Sequence, residues 1–212
     1  AEPIKNIKVI DRLPINKIEF LNFKKNSNLG YIIKNTLFKN VVLKKLSKKT
    51  NVTLLGENTL EDIKYSNSKI ISKFNKCIIN SKLLIAADGK NSKTRNIIKT
   101  PLYKKTYKES ALVVNFEHSK THNNLAYEFF YKNGPLAILP MKKEKEFQSS
   151  MIWSNNKEFL CSLIKTDEDI FSEIIESKIS NYLGKVIKIK SKQLFPLSAH
   201  LNAQFYGKKI IY

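Results

Sequence analysis

Arginine is almost absent from this chain. Of 38 basic residues only Arg12 and Arg95 are arginines; the others are lysines scattered along the whole length, against 18 acids, for a formal charge of +20. So large a positive charge ordinarily points to nucleic acid or an anionic membrane. Base readout, however, prefers the bidentate arginine fork, and binding patches are clustered. The charge therefore reads as a solvated lysine surface, and nucleic-acid binding is kept only as the weaker rival. Cysteine is scarce as well: Cys77 and Cys161 are far apart in apolar surroundings, Lys-Cys-Ile-Ile and Leu-Cys-Ser-Leu, and read as buried thiols in a reducing compartment. No apolar run is long enough to span a bilayer and no signal peptide is present, so a cytoplasmic protein, soluble or peripheral at the inner face of the membrane, is expected. Also missing are the Gly-x-Ser-x-Gly elbow, any Cys/His metal spacing and the Gly-x-x-x-x-Gly-Lys phosphate loop. His118 and His122 are four apart, but they follow a strand and flank a loop with no Glu between them. No metal site is assigned to them.

What is present is organised around Leu83–Arg95, Leu-Leu-Ile-Ala-Ala-Asp-Gly-Lys-Asn-Ser-Lys-Thr-Arg. Five apolar residues, Leu83 to Ala87, read as a strand buried on both faces of a parallel sheet, with Asp88 at its carboxyl end. Gly89 permits the turn, Ser92 is a good N-cap, and Lys93 to Lys99 can begin a helix whose first amides are free to bind anions. In open α/β sheets ligands bind at such strand ends. The plain alternative for Asp88 is a cap on the following helix.

The 42% hydrophobic content of 212 residues supplies a core for one large domain or two small ones. Strands are expected at Ile7–Ile10, Ile18–Phe23 and Leu29–Ile33, the first two separated by the Leu13-Pro14 break, and at Val52–Leu55. From Leu37 to Leu46 apolar residues recur on one helical face, predicting an amphipathic core helix capped by Asn35. Thr59–Tyr65, Lys69–Phe74 and Lys76–Asn80 suit an antiparallel meander. Beyond Arg95 come four strands, Ala111–Phe116, Ala126–Tyr131, Gly134–Met141 and Phe147–Trp153, with Asn133-Gly134 a hairpin turn. One helix follows Thr166-Asp167-Glu168-Asp169 and ends near Gly184. Val186–Ile189 and Gln193–Leu197 complete the sheet.

Ala87, Asp88, Gly89, Ser92 and Arg95, in the spacing Ala-Asp-Gly-x-x-Ser-x-x-Arg, resemble the second fingerprint of the FAD-dependent aromatic hydroxylases (monooxygenases). Helix, strand, meander and Asp-Gly strand also come in the order found in a glutathione-reductase-type FAD domain. Pro3-Ile4 through Asp11-Arg12, Leu29–Asn35, the run from His122 through Glu128 to Pro140, Trp153, and Phe195–His200 are similar to the ubiquinone-biosynthesis hydroxylase branch, the 2-polyprenyl-6-methoxyphenol hydroxylase-like proteins. The resemblance implies an α/β (α+β) fold like that of p-hydroxybenzoate hydroxylase. Residues 1–100 would be a partial Rossmann-like FAD-binding domain, 101–200 an antiparallel-sheet substrate domain, and 201–212 a segment returning to the FAD domain.

It further implies FAD and NAD(P)H as cofactors, a polyprenylated phenol as lipid-linked substrate, and other ubiquinone-pathway enzymes and a membrane surface as partners. Chemistry in that family is carried by the cofactor, so no protein nucleophile is required and no catalytic residue is assigned. Asp88, Gly89, Ser92 and Arg95 are the expected cofactor contacts, Arg95 serving a pyrophosphate or an ion pair with Asp88. Glu128, Phe129, Tyr131, Leu136, Ile138, Pro140 and His200 are candidates to line a substrate pocket, the alternative being ordinary core or surface. The family's Gly-x-Gly-x-x-Gly and Gly-Asp motifs are not found, and both ends look cut from something longer. The chain alone is thus expected to bind FAD weakly or not at all and to lack activity; a non-catalytic remnant or interaction module of the same fold is the main rival.

Overall fold

The computed structural model describes residues 1–12, 15–21, 27–142 and 145–212. The Leu13-Pro14 break and the Asn22-Phe23 end of the second expected strand, Ile18–Phe23, lie outside them. In chain order the first elements are β1 (Glu2–Ile4), β2 (Asn6–Arg12), β3 (Ile15–Phe20), β4 (Gly30–Ile32) and α1 (Asn35–Leu46). Then come β5 (Leu60–Tyr65), β6 (Ile70–Phe74), β7 (Ile78–Ser81), β8 (Leu84–Ile85) and α2 (Lys93–Ile97). The remainder is β9 (Leu102–His118), β10 (Leu125–Tyr131), β11 (Gly134–Met141), β12 (Phe147–Asn156), α3 (Lys157–Leu163), α4 (Glu168–Leu183), β13 (Val186–Asn202), β14 (Tyr206–Gly207) and β15 (Ile210–Ile211). Two compact units result: Ala1–Val42 with Tyr107–Leu197, and Leu43–Thr106 with Ser198–Tyr212.

The first unit is built on a seven-stranded sheet of order β13-β9-β12-β11-β10-β2-β3. Here the expected boundary at residue 100 needs correction at the front of the chain. β2 runs parallel to β10 in register from Asn6 opposite Leu125 to Asp11 opposite Phe130, so the first 42 residues belong with the large sheet and not with the meander. A pattern of short apolar segments fixes each strand but not its partner, which is a long-range choice.

Alternation along the paired strands separates two faces. Phe129 lies opposite Ile10 and Leu136, Leu136 opposite Trp153, and Trp153 opposite Leu112; Ile138, Met151 and Val114 form the next row. This face is the core, packed against Leu160 and Leu163 of α3 and Phe171, Ile175, Ile179 and Leu183 of α4. The four-residue repeat of α4 is the apolar stripe that the sequence predicts, and Gly184 ends the helix with a φ of 74°. α3 was not anticipated, since seven residues with only Leu160 and Leu163 buried give little periodicity; its signal is Asn156, whose side chain caps the amides of Glu158 and Phe159.

Gly134 makes the β10–β11 turn with a φ of 126°, and a Cβ there would stand 2.3 Å from the Ser154 carbonyl oxygen. Neither strain can relax without moving β12. Gly134→Ala should therefore cost more than about 2 kcal/mol in chemical denaturation.

His118 and His122, expected in a loop, are both buried. His118 Nδ1 donates to the Lys120 carbonyl (2.8 Å) and Nε2 accepts from Ser149 Oγ (2.9 Å), the arrangement of a neutral ring. His122 Nδ1 accepts the Asn124 amide and Nε2 donates to the Met141 carbonyl. Among the described residues no cluster of three or more His, Cys, Asp or Glu could hold a metal. Burial, with help from neighbouring His122, pushes the His118 pKa below 6.5, although the Lys120 carbonyl opposes it. The unfolded chain then binds more protons than the fold just below pH 6.5, so stability is complete above that value and falls as the pH drops towards the folded pKa. The urea midpoint should decline on acidification in this window, and His118→Gln should flatten the decline.

The second unit contains the expected meander, β5-β6-β7, antiparallel throughout. Ile63, Ile70 and Ile210 form its small core, with Leu84, Ile97, Ile98 and Tyr212 against it. β8 pairs in parallel with β15, Leu84 opposite Ile210 and Ile85 opposite Ile211. The parallel neighbour was expected, but burial on both faces was not met: Leu83 and Ala87 are exposed and Ile85 is 64% exposed. A two-residue strand at a sheet edge has too few neighbours to be covered. Val52–Leu55 forms no strand. α1 forms as predicted and includes Asn35 as its first residue, yet none of its residues is buried, so its apolar face is not the core face expected.

Among the described residues no helix is long and apolar enough to cross a membrane.

Candidate functional site

Asp88 follows β8, the strand with a parallel neighbour, and precedes α2. Its Oδ2 accepts the Thr94 amide at 2.9 Å, while Ser92 Oγ accepts the Arg95 amide at 3.0 Å. The capping role considered for Asp88 is thus real, and Ser92 is the N-cap that the sequence predicts. Desolvation is the largest influence on the Asp88 carboxyl and pushes its pKa up; hydrogen bonds from Ser92 and Thr94 together outweigh it, leaving the pKa below the ordinary value. The group is a carboxylate at neutral pH.

Arg95 is the unusual member. It is only 9% exposed, and its Nη2 donates to the Lys90 carbonyl at 2.7 Å, bracing the turn from within. The expected ion pair with Asp88 is not made among the described residues; the carboxylate is engaged by the α2 amides. Gly89 takes a φ of 77°, and an added Cβ would meet nothing within 4 Å. A side chain there would be strained and would project into open space beside the turn.

That space is a cavity of about 270 Å³ lined by Asp88, Gly89, Ser92, Arg95, Asn202 and Tyr212. Asn202 and Tyr212 carry no local sequence signal for this site; the parallel pairing of β15 is what brings Tyr212 beside β8. His200 does not line the cavity but stands close enough to Lys90 and Arg95 to feel their charges. Desolvation lowers its pKa, and so do the charges of Lys104, Lys90 and Arg95, while the Lys90 carbonyl pulls the other way. A half-buried arginine-lysine setting around a helix start is suited to a phosphate or pyrophosphate.

The substrate-pocket candidates do not share one surface. Phe129, Leu136 and Ile138 are buried on the helix-covered face of the first unit, with Tyr131 packed at its edge. Pro140 has the same strand parity as Leu136 and Ile138 and is buried opposite Ser149. Glu128 points the other way, beside Val9 and Ala137, half-buried, and burial raises its pKa. His200 lies in the second unit. Alternation explains the division: adjacent residues of a strand cannot line the same wall.

The face that carries Glu128 bears a cavity of about 490 Å³, lined by Leu139, Met141, Asn115, Gln148, Ser150 and Ser191 among others. Asn115 donates to Ser191 Oγ at 2.9 Å. Gln148 is 4% exposed, and among the described residues its Nε2 has no acceptor. These polar groups on a half-apolar wall were not picked out from the sequence, where single Gln, Asn and Ser residues in strands carry no pattern.

The fold is that of flavin-dependent monooxygenases and halogenases. The chain superimposes on the flavin-dependent halogenase CmlS with a TM-score of 0.76 and 12% identity, covering 98% of this chain and 40% of that one. With the flavin-dependent monooxygenase PieE the TM-score is 0.67, again at 12% identity, covering 98% and 40%. No protein-family model matches the chain.

In sequence the chain is similar to the ubiquinone hydroxylase UbiL of Rhodospirillum rubrum, 24% identical over 187 residues, which are 88% of this chain and 43% of that protein. It is similar to UbiM of Neisseria meningitidis at 23% over 182 residues, 85% of this chain and 39% of that protein. With the human ubiquinone biosynthesis monooxygenase COQ6 it shares 36% over 98 residues, 46% of this chain and 20% of that protein. The chain thus spans less than half the length of these curated relatives.

Proposed function

We propose that this chain is the part of an FAD-dependent aromatic hydroxylase that meets the cofactor pyrophosphate and the ring of a polyprenylated phenol in ubiquinone biosynthesis. The observation that carries the proposal is Arg95, buried and without a carboxylate partner among the described residues, beside the Asp88-Gly89 turn, where β8 with its parallel neighbour delivers the chain to a helix start. Arg95 and the amides around Gly89 and Ser92 would hold the pyrophosphate, and Asp88 would fix the turn by holding α2. When bound, the flavin, reduced by NAD(P)H, supplies the oxygen chemistry that places one oxygen atom of O₂ on the ring. The wall with Gln148, Asn115 and Ser150 would receive the phenol, the Gln148 amide donating to its oxygen while Leu139 and Met141 exclude water. Lysines over the surface would favour docking to anionic lipid, from which a polyprenyl chain is presented.

In cells whose own copy carries Asp88→Ala, a prenylated phenol one oxygen short of the next intermediate should accumulate, detectable by mass spectrometry of lipid extracts. Unchanged quinone intermediates would instead identify a non-catalytic remnant of the fold.

A further inference from the structure

We propose that the first unit carries a second ligand site, for a small aromatic carboxylate, on the helix-covered side of its sheet at the β10–β11 turn. This inference does not depend on the proposed hydroxylase activity. A cavity of about 800 Å³ lies there, walled by Trp153, Phe159, Lys178, Lys132, Asn155 and Glu109 among others. It is on the opposite face of the sheet from the Gln148 wall, because Trp153 and Gln148 differ in strand parity.

The wall is rich in donors. Trp153 is 5% exposed, and its indole N–H, which can only donate, has no acceptor among the described residues. The Lys178 ammonium stands 5.6 Å from the Trp153 ring centre and 5.4 Å from that of Tyr131, and among the described residues it makes no ion pair. Asn155 is buried with its side-chain oxygen already accepting the Asn156 amide at 2.7 Å, which leaves its NH₂ to offer. A ligand that satisfies these groups must bring oxygen acceptors, since an unanswered buried donor is costly.

Charge and shape narrow the class. Lys132 and Lys178 against Glu109 leave one net positive charge, which suits a monoanion better than a phosphate dianion. Phe159 meets Trp153 edge to face at 5.5 Å between ring centres and remains 45% exposed, so a flat apolar body beside it would cover an open ring. A carboxylate near Lys178 with its ring against Phe159 meets both demands.

Trp153 is the single tryptophan of the chain, so its fluorescence and its one indole N–H resonance report on this site alone. Titration of the full chain with benzoate should shift both saturably in the millimolar range, with benzyl alcohol and inorganic phosphate at least about tenfold weaker. Lys178→Met should weaken benzoate by about tenfold, and the exposed Lys132→Ser, which leaves the helix packing untouched, by severalfold. The proposal is overturned if benzoate produces no saturable shift by about 20 mM. Phosphate or benzyl alcohol binding as tightly as benzoate overturns it too, as does benzoate binding unchanged in both lysine variants.

Discussion

Phe129→Ala should destabilise the protein by about 3–5 kcal/mol, the usual cost of emptying a buried phenylalanine site. The ring is fully buried among Ile10, Leu136 and the α4 residues, stacked with Tyr127 at 5.9 Å between centres and tilted on Tyr182 at 5.1 Å. None of these partners can collapse into the gap without shifting α4 against the sheet. Its sequence neighbour gives the control. Glu128 faces away from that core, and burial raises its pKa, so its charged form is the disfavoured one above the folded pKa. Glu128→Gln removes the charge at constant shape and should leave the urea midpoint at neutral pH equal or higher. If Phe129→Ala were mild and Glu128→Gln severe, the two faces would have been assigned the wrong way round.

That pair also marks how far the sequence can be read. Gly134–Met141 was delimited to the residue, because an Asn-Gly turn and a following apolar run are local signals. The capped α4 with its Gly184 stop is legible for the same reason. The Asp88 turn, the Ser92 cap and the parallel neighbour of β8 were likewise legible. Which face of a strand is covered is not local, and the aromatic residues of β10 and the aliphatic ones of β11 that look ready for a ligand serve the core. Nor could spacing reveal that β2 lies beside β10 or that Tyr212 stands in the Asp88 cavity, since both depend on pairings more than a hundred residues apart in sequence.

Arg95→Gln is the second large effect. The guanidinium is buried, has no carboxylate partner among the described residues and braces the turn through the Lys90 carbonyl, so the substitution removes both a positive charge and a hydrogen bond from the cavity wall. A charge-assisted contact to a phosphate oxygen is worth on the order of 1.5–3 kcal/mol, so the affinity for a pyrophosphate should fall by about tenfold or more. Amide exchange at Asp88–Ser92 should also accelerate, because the turn loses its internal strut. Asp88→Ala should act differently. It uncaps the Thr94 amide, costing about 0.5–2 kcal/mol of stability, and it loosens α2 while leaving the arginine charge in place.

The most direct test is amide NMR of the isolated chain titrated with FAD. Binding should be weak, without stoichiometric flavin carried through purification, and the shifts should be confined to Ala86–Arg95, Asn202 and Tyr212 and diminish in Arg95→Gln. Shifts centred elsewhere, or equal shifts in the variant, would contradict the assignment of this turn to a flavin dinucleotide.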